Sequence, residues 1–350
     1  MDVLKDILFA VGFIVVVFLV LFLICMCVVA AMYESIFGKR FEIYDSPILP
    51  DLNDYPYLES EPISFPSRRG YKYAGSFYHD RRVKKFKGLL VFSHGIFNGH
   101  LDYIPEIAYF AEHGYKIFAF DNTGCHLSGG KSMRGLPQSA EDLSAALDFL
   151  SKENDLPVVL FGHSWGGYAV SAVSCYKLYN LRGVFVQSGF NRSCDMVLEE
   201  GARMFGNWIY ILAPYIKLYE KFKYGRRAKY TARAGVARAS KNSTHFLILH
   251  STDDETISLK HSALTNVDKN ENVTLITEKC KGHNSLDSDR AIEHKKKLDS
   301  EFAVSFAKGC TSAQKREFYA EKADKSIYFE RDTKLMKIAA DFYDVCCAEK

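Results

Sequence analysis

The chain of 350 residues is 48% apolar and 25% charged, with 45 basic residues against 42 acidic ones, so it can bury a full-sized core and is too apolar to be disordered. A net charge of +3 over this length argues against a general polyanion binder, and no nucleic-acid motif is present, so no nucleic acid is expected as a partner. The nine cysteines show no paired C-x-x-C spacing; they read as reduced thiols, and no metal or cofactor is expected.

The first element is an apolar stretch. Residues Ile7 to Tyr33 carry no charge, whereas about 20 residues of helix suffice to cross a ~30 Å hydrocarbon core. A transmembrane helix over 7–33 is the expectation; a signal peptide cleaved near Ala30 and Ala31 is the alternative, but its apolar region would be shorter and follow a basic start. Here Asp2, Lys5 and Asp6 offset one another. Lys39 and Arg40 after the span, together with the scattered downstream cysteines, lead to the expectation of a single-pass cell-membrane protein with its body on the cytoplasmic side. Residues 34–70, with Pro47 to Pro66 interleaved with Asp51, Asp54, Glu59 and Glu61, read as an extended surface linker.

After Gly70 strands and helices alternate. Tyr71–Tyr78, Leu89–Phe92, Lys116–Phe120, Pro157–Phe161, Val184–Gln187, Phe246–Leu249 and Val273–Ile276 read as strands, and Ile104–Glu112 and Ser139–Leu150 as helices. Short β-branched runs separated by helical periods predict a mostly parallel central sheet with helices on both faces, in one domain over 71–308. Residues 309–350 read as a charged helical extension with no assigned role.

Gly162-His163-Ser164-Trp165-Gly166 fits the G-x-S-x-G elbow, in which a serine sits on a sharp strand-to-helix turn that leaves no room for side chains two positions either side. The bare pattern is weak, but it follows an apolar strand and precedes Gly167-Tyr168-Ala169-Val170. A serine hydroxyl becomes a nucleophile only when an imidazole takes its proton and a carboxylate fixes that imidazole, so an acid and a histidine should follow. The strand Phe246–Leu249 leads to Asp253 and Asp254, and Val273–Ile276 leads to Gly282-His283.

Ser93-His94-Gly95-Ile96, the elbow, Asp253-Asp254 and Gly282-His283 together resemble the α/β-hydrolase superfamily, nearest to its monoglyceride-lipase and serine-aminopeptidase-like group, over roughly Tyr71 to Lys308. The resemblance implies the α/β-hydrolase fold with a helical cap insert, here about 190–240 and preceded by the transmembrane helix, and a catalytic set of Ser164, Asp254 and His283. Its G-x-x-D-x-x-V pattern maps to Ser251, Asp254 and Ile257, favouring Asp254 over Asp253; Ser251 replaces the family glycine and leaves the choice open. The implied oxyanion hole is the backbone N–H of Ile96 and Trp165. His94 is expected to hold its loop, His126 to lie at the surface, and His100, His113, His245, His250 and His261 to be surface or packing residues.

Within the insert, Trp208, Ile211, Leu212 and Tyr215 share one helical face and are expected either to line an acyl pocket, as substrate-binding residues, or to cement the cap. Nine basic residues from Lys217 to Lys241 stand against the single acid Glu220, which suits either contact with anionic lipid or a solvated face. The chain is therefore expected to be a membrane-bound serine hydrolase forming an acyl-enzyme, a carboxylesterase or lipase on monoacyl or short acyl esters. The alternatives are an aminopeptidase on short peptides, which needs a cap acid such as Asp195, Glu199 or Glu200 for the substrate ammonium, and a catalytically silent membrane scaffold.

Overall fold

The computed structural model of the protein describes residues 2–152, 155–307 and 309–348; Lys308, the expected end of the catalytic domain, and Glu349 and Lys350 lie outside them. Among the described residues one helix, α1 (Asp2–Phe37), is long and apolar enough to cross a membrane. It outruns the expected 7–33 span because no helix breaker intervenes before Gly38, and its last turns pack on the protein through Val29, Tyr33 and Phe37, one face at i, i+4 and i+8.

Eight strands form one sheet: β1 (Leu58–Pro66), β2 (Lys72–Asp80), β3 (Leu89–Ser93), β4 (Lys116–Phe120), β5 (Val158–His163), β6 (Leu181–Gln187), β7 (His245–Ser251) and β8 (Val273–Glu278). Their spatial order is β1-β2-β4-β3-β5-β6-β7-β8. The pairs β1/β2 and β2/β4 are antiparallel, and the five pairs from β4 through β8 are parallel. Buried side chains alternate between two cores: Leu89, Val91, Phe118, Phe120, Val184 and Val186 face one, while Leu90, Phe92, Ile117, Val159, Phe161 and Phe185 face the other. Period-2 alternation with both faces apolar is what a sheet covered on both sides requires. Helices α3 (Gln138–Leu150) and α4 (Trp165–Ala172) cover the first face, and α2 (Ile104–Glu112) the second.

Two boundaries differ from the sequence reading. The 34–70 segment is not only a linker: it contains β1, whose Phe65 is buried against Tyr73 and stacked on Phe149. Pro62 and Pro66 are compatible with a strand because β1 is at the sheet edge, where missing N–H donors break no ladder. Nor is 309–350 an appendage. In the helix Thr333–Ala348, Leu335, Met336, Ala339, Ala340 and Tyr343 are buried against the second sheet face, and the Tyr343 hydroxyl donates to Leu160 O at 2.8 Å.

Between β6 and β7 lie α5 (Ser193–Phe205), a 3-10 segment Asn207–Leu212, α6 (Ala213–Tyr224) and α7 (Ala232–Ser240). The first three enclose a separate apolar cluster of Cys194, Leu198, Ile209, Leu212 and Ile216, closed by Val29 of α1. Helix α7 packs instead on α4, where a side chain at Gly235 would meet Ser171 O at 2.1 Å, so the residues expected as cap up to 240 divide between cap and body.

Candidate active site

Ser164 sits between β5 and α4 with φ 55° and ψ −111°, a strained conformation for a residue with a side chain. The glycines around it are steric requirements. A Cβ at Gly162 would lie 2.3 Å from Gly166 O, and one at Gly166 would lie 1.9 Å from Ser93 O. The turn is thereby pressed against β3, and Ser164 opens on a cavity of about 650 Å³.

Asp254 follows β7 and is buried. One carboxylate oxygen accepts from Thr256 N at 2.8 Å and Ile257 N at 2.9 Å, and His283 Nδ1 lies 3.0 and 2.9 Å from the two oxygens. Burial works to raise the pKa of Asp254, but the hydrogen bonds from His283 and from Ile257 prevail and hold it below its ordinary value. Asp253, left open as the alternative, is exposed and accepts from the Ser251 hydroxyl and Gly282 N instead. Ser251, in the place of the family glycine, thus ties the neighbouring acid down, and its own Oγ accepts from Lys281 N at 3.2 Å.

The main chain of His283 is fixed beside the elbow. Its carbonyl accepts from Ser188 Oγ at 2.7 Å and lies 3.3 Å from His163 Nε2, and its ring centroid is 5.0 Å from that of His163, the residue before Ser164. Burial lowers the pKa of His163 to about 3, so this neighbour stays neutral. Among the described residues Ser164 Oγ has no hydrogen-bond partner, and the edge of the His283 ring that carries Nε2 is not engaged by Asp254.

The loop after β3 carries Ile96, which lines the same cavity as Ser164 and Trp165. As the first residue of α4, Trp165 has a backbone N–H with no intrahelical partner. His94 braces the loop: its Nε2 accepts from Asn122 N at 2.8 Å while Nδ1 meets Gly95 O at 2.7 Å. Burial lowers its pKa to about 4, consistent with a neutral staple. The Tyr103 hydroxyl accepts from Gly95 N at 2.9 Å and reaches His163 Nδ1 at 2.7 Å, linking this loop to the elbow.

The cap residues expected to bind substrate are elsewhere. Trp208 and Ile211 point outward, 54% and 73% exposed; Leu212 is buried in the cap cluster, and Tyr215 packs beside Phe22 of α1. None lines the Ser164 cavity. The reason is the 3-10 winding of Asn207–Leu212, whose three residues per turn rotate these side chains off the common face that an α-helix would give. Met196, Val197 and Met204 of α5 line the cavity from the cap side, with Ile36, Phe37 and Phe41 from the exit of α1. The sequence reading places Ile36 and Phe37 in the 34–70 linker, whereas the structure puts them in the cavity wall.

Of the other histidines, His126 differs from its expected surface position, while His100 and His250 are packing residues, one of the two roles expected of them. His126 is buried, stacked on Phe41 with centroids 5.7 Å apart. His100 is buried with Nδ1 2.7 Å from Asp121. His250 is buried at the end of β7, 3.4 Å from Asp254 and 2.9 Å from Ile257 O, so it braces the acid loop. Its position directly ahead of Ser251 to Asp254 was the available signal.

Residues 84–234 match the family described as serine aminopeptidase, S33. A proline iminopeptidase of Saccharolobus solfataricus is 29% identical over 161 residues, which are 43% of this chain and 49% of that protein, so the chain spans about half the length of this curated relative. Among solved structures, an esterase of Pyrococcus furiosus superposes over 78% of this chain and 94% of its own at 17% identity and TM-score 0.48. The α/β hydrolase GrgF of a Penicillium species does so over 70% and 96% at 17% identity and TM-score 0.49. The matched residues contain β3 to β6 and the serine elbow, and over that stretch the chain is similar to this hydrolase family.

Proposed function

We propose that the protein is a serine hydrolase that forms an acyl-enzyme at Ser164, acting as a carboxylesterase or lipase on monoacyl or short acyl esters. The observation that carries this reading is the pairing of His283 Nδ1 with buried Asp254 beside an elbow serine that opens on a largely apolar cavity. Asp254 would hold the imidazole with Nε2 unprotonated, ready for the Ser164 proton. Ser164 Oγ then attacks the ester carbonyl carbon, and the N–H groups of Ile96 and Trp165 receive the oxyanion. Collapse breaks the bond to the alcohol, which leaves with the proton from His283. Water, deprotonated by the same imidazole, then releases the acid.

The peptidase reading is supported by the matched family and the iminopeptidase relative. Against it stands the state of the cap acids. Only Glu200 borders the cavity, and Arg203 already pairs with both Glu200 and Glu199, while Asp195 lies off the cavity beside Arg192. A substrate ammonium would compete with a guanidinium for its partner.

Anchoring by α1 with a cytoplasmic body, and contact of the basic cap with anionic lipid, belong to the same proposal. Its test is labelling with a fluorophosphonate and turnover of a panel of p-nitrophenyl esters and aminoacyl amides by the full chain. Ser164→Ala should abolish labelling and lower ester turnover by about 10³ or more. Labelling that persists in the variant would remove Ser164 from the chemistry, and faster turnover of amides than esters would turn the reading to the peptidase.

A further inference from the structure

One wall of the Ser164 cavity is built by the end of the apolar helix. Ile36, Phe37, Lys39, Arg40 and Phe41 line the cavity together with Met196, Val197 and Met204 of α5, and the segment is fastened there. Phe41 N donates to Gly124 O at 2.9 Å, and Phe41 O accepts from His126 N at 2.8 Å. Arg134 N donates to Phe37 O at 3.1 Å, and the Arg40 guanidinium donates to the carbonyls of His126, Ser128 and Gly130 at 2.7–2.9 Å. A charged side chain spent on three carbonyls holds backbone in place; it does not solvate a linker.

The same helix sets the level of the cavity mouth relative to a bilayer. From Val3 to Val28 α1 is exposed along nearly its whole length, about 39 Å at the helical rise, more than the ~30 Å of hydrocarbon it would cross. Yet cap contacts begin inside this stretch: the Tyr215 ring lies 5.6 Å from Phe22, and Cys25 packs on the cap cluster. That end of the cap therefore sits at the membrane surface. Ile209 and Leu212 are buried in the cluster that Val29 closes, while their neighbours Trp208, Tyr210 and Ile211 and, at the end of α5, Met204 and Phe205 are exposed. Large apolar side chains grouped in this way mark a surface covered by another phase, and here the patch continues directly from the spanning helix. Met204 belongs both to this patch and to the cavity lining.

Resting on the serine-hydrolase reading, we propose that the cavity is loaded from the bilayer. The acyl chain of a membrane-resident ester passes between the exit of α1 and the cap rim at Met204, with Trp208 and Ile211 immersed in lipid. The α1 exit is thus both tether and acyl-binding wall, and Ile36 and Phe41 are specificity-determining residues.

Two readouts on the full chain in dioleoylphosphatidylcholine vesicles test this. The chain has two tryptophans; Trp165 is fully buried and Trp208 exposed. Replacing the lipid with its acyl-brominated counterpart should quench the emission attributable to Trp208 at least twofold, and Trp208→Phe should remove the quenchable part. Bromine-independent emission would overturn the proposal. The second readout is the ratio of kcat/KM for dodecanoyl over butanoyl p-nitrophenyl ester, in which loss of folded protein cancels. Ile36→Ala and Phe41→Ala should each lower this ratio about tenfold. Unchanged ratios in both would overturn the wall, whereas a wild type that fails to label with fluorophosphonate would overturn the hydrolase reading itself, and this proposal with it.

Discussion

Two adjacent carboxylates at the end of β7 have different surroundings and should have different consequences. Asp254 is buried and bonded to His283 Nδ1, whereas Asp253 is exposed and bonded to Ser251. Under the proposed chemistry Asp254→Asn presents an amide N–H or a poorer acceptor to the imidazole and should lower kcat by roughly 10³–10⁴. Asp253→Asn should change it less than about threefold, and the pair of rates for one ester checks the assignment. Spacing alone left the two open, because both lie in one loop and the difference is made by which carboxylate turns inward to meet a histidine 29 positions later. The elbow was legible from five residues because its constraint is steric and local: Gly162 and Gly166 are the positions where a Cβ would strike backbone.

At the scale of elements, two contacts join segments that the sequence presents as separate. Glu220 of α6 is buried, bonded to Ser193 and Tyr33, and burial raises its pKa to about 7 against those hydrogen bonds. With the folded value above the unfolded one, the folded state binds the extra proton. The stability this contributes is full below about pH 4.5 and is lost as pH rises through about 7. The docking of α1 on the cap should loosen from pH 5 to pH 8, read as hydrogen exchange in α6, and Glu220→Gln should flatten that dependence.

The second contact is Arg331, which bonds Glu106 of α2 and Asp287 at 2.7 Å each in a mostly buried site. Arg331→Met strands the buried carboxylate of Glu106, while Asp287 keeps Lys295 at 2.6 Å, and should cost about 3–5 kcal/mol, measured by denaturant unfolding; a loss under about 1 kcal/mol would mean the C-terminal segment is held by its apolar helix alone. Alternation and helical periodicity located the central strands and the main helices, since each pattern is written in consecutive residues. They did not reveal that β1 lies in the proline-rich segment or that Thr333–Ala348 closes a sheet face, because an edge strand and a final layer are defined by what they pack on.

For the whole molecule, the open question of side is reduced to two reporters. Cys125, Cys194 and Cys346 are buried, and among the described residues of the body Cys280 and Cys310 are the exposed cysteines. If the body faces the cytoplasm, a membrane-impermeant maleimide on intact cells should leave both unmodified and should label both once the membrane is permeabilised; labelling before permeabilisation would reverse the topology. By itself the sequence determined the apolar helix, the alternating sheet and the serine elbow, all consequences of short-range pattern and of sterics between near neighbours. Only the tertiary structure decided which acid faces His283, that Trp208 and Ile211 of the expected cap face turn outward, and that the end of the helix walls the cavity. Those outcomes depend on the packing of segments from 29 to more than a hundred residues apart, where burial and hydrogen bonding choose among surfaces that look alike in one dimension.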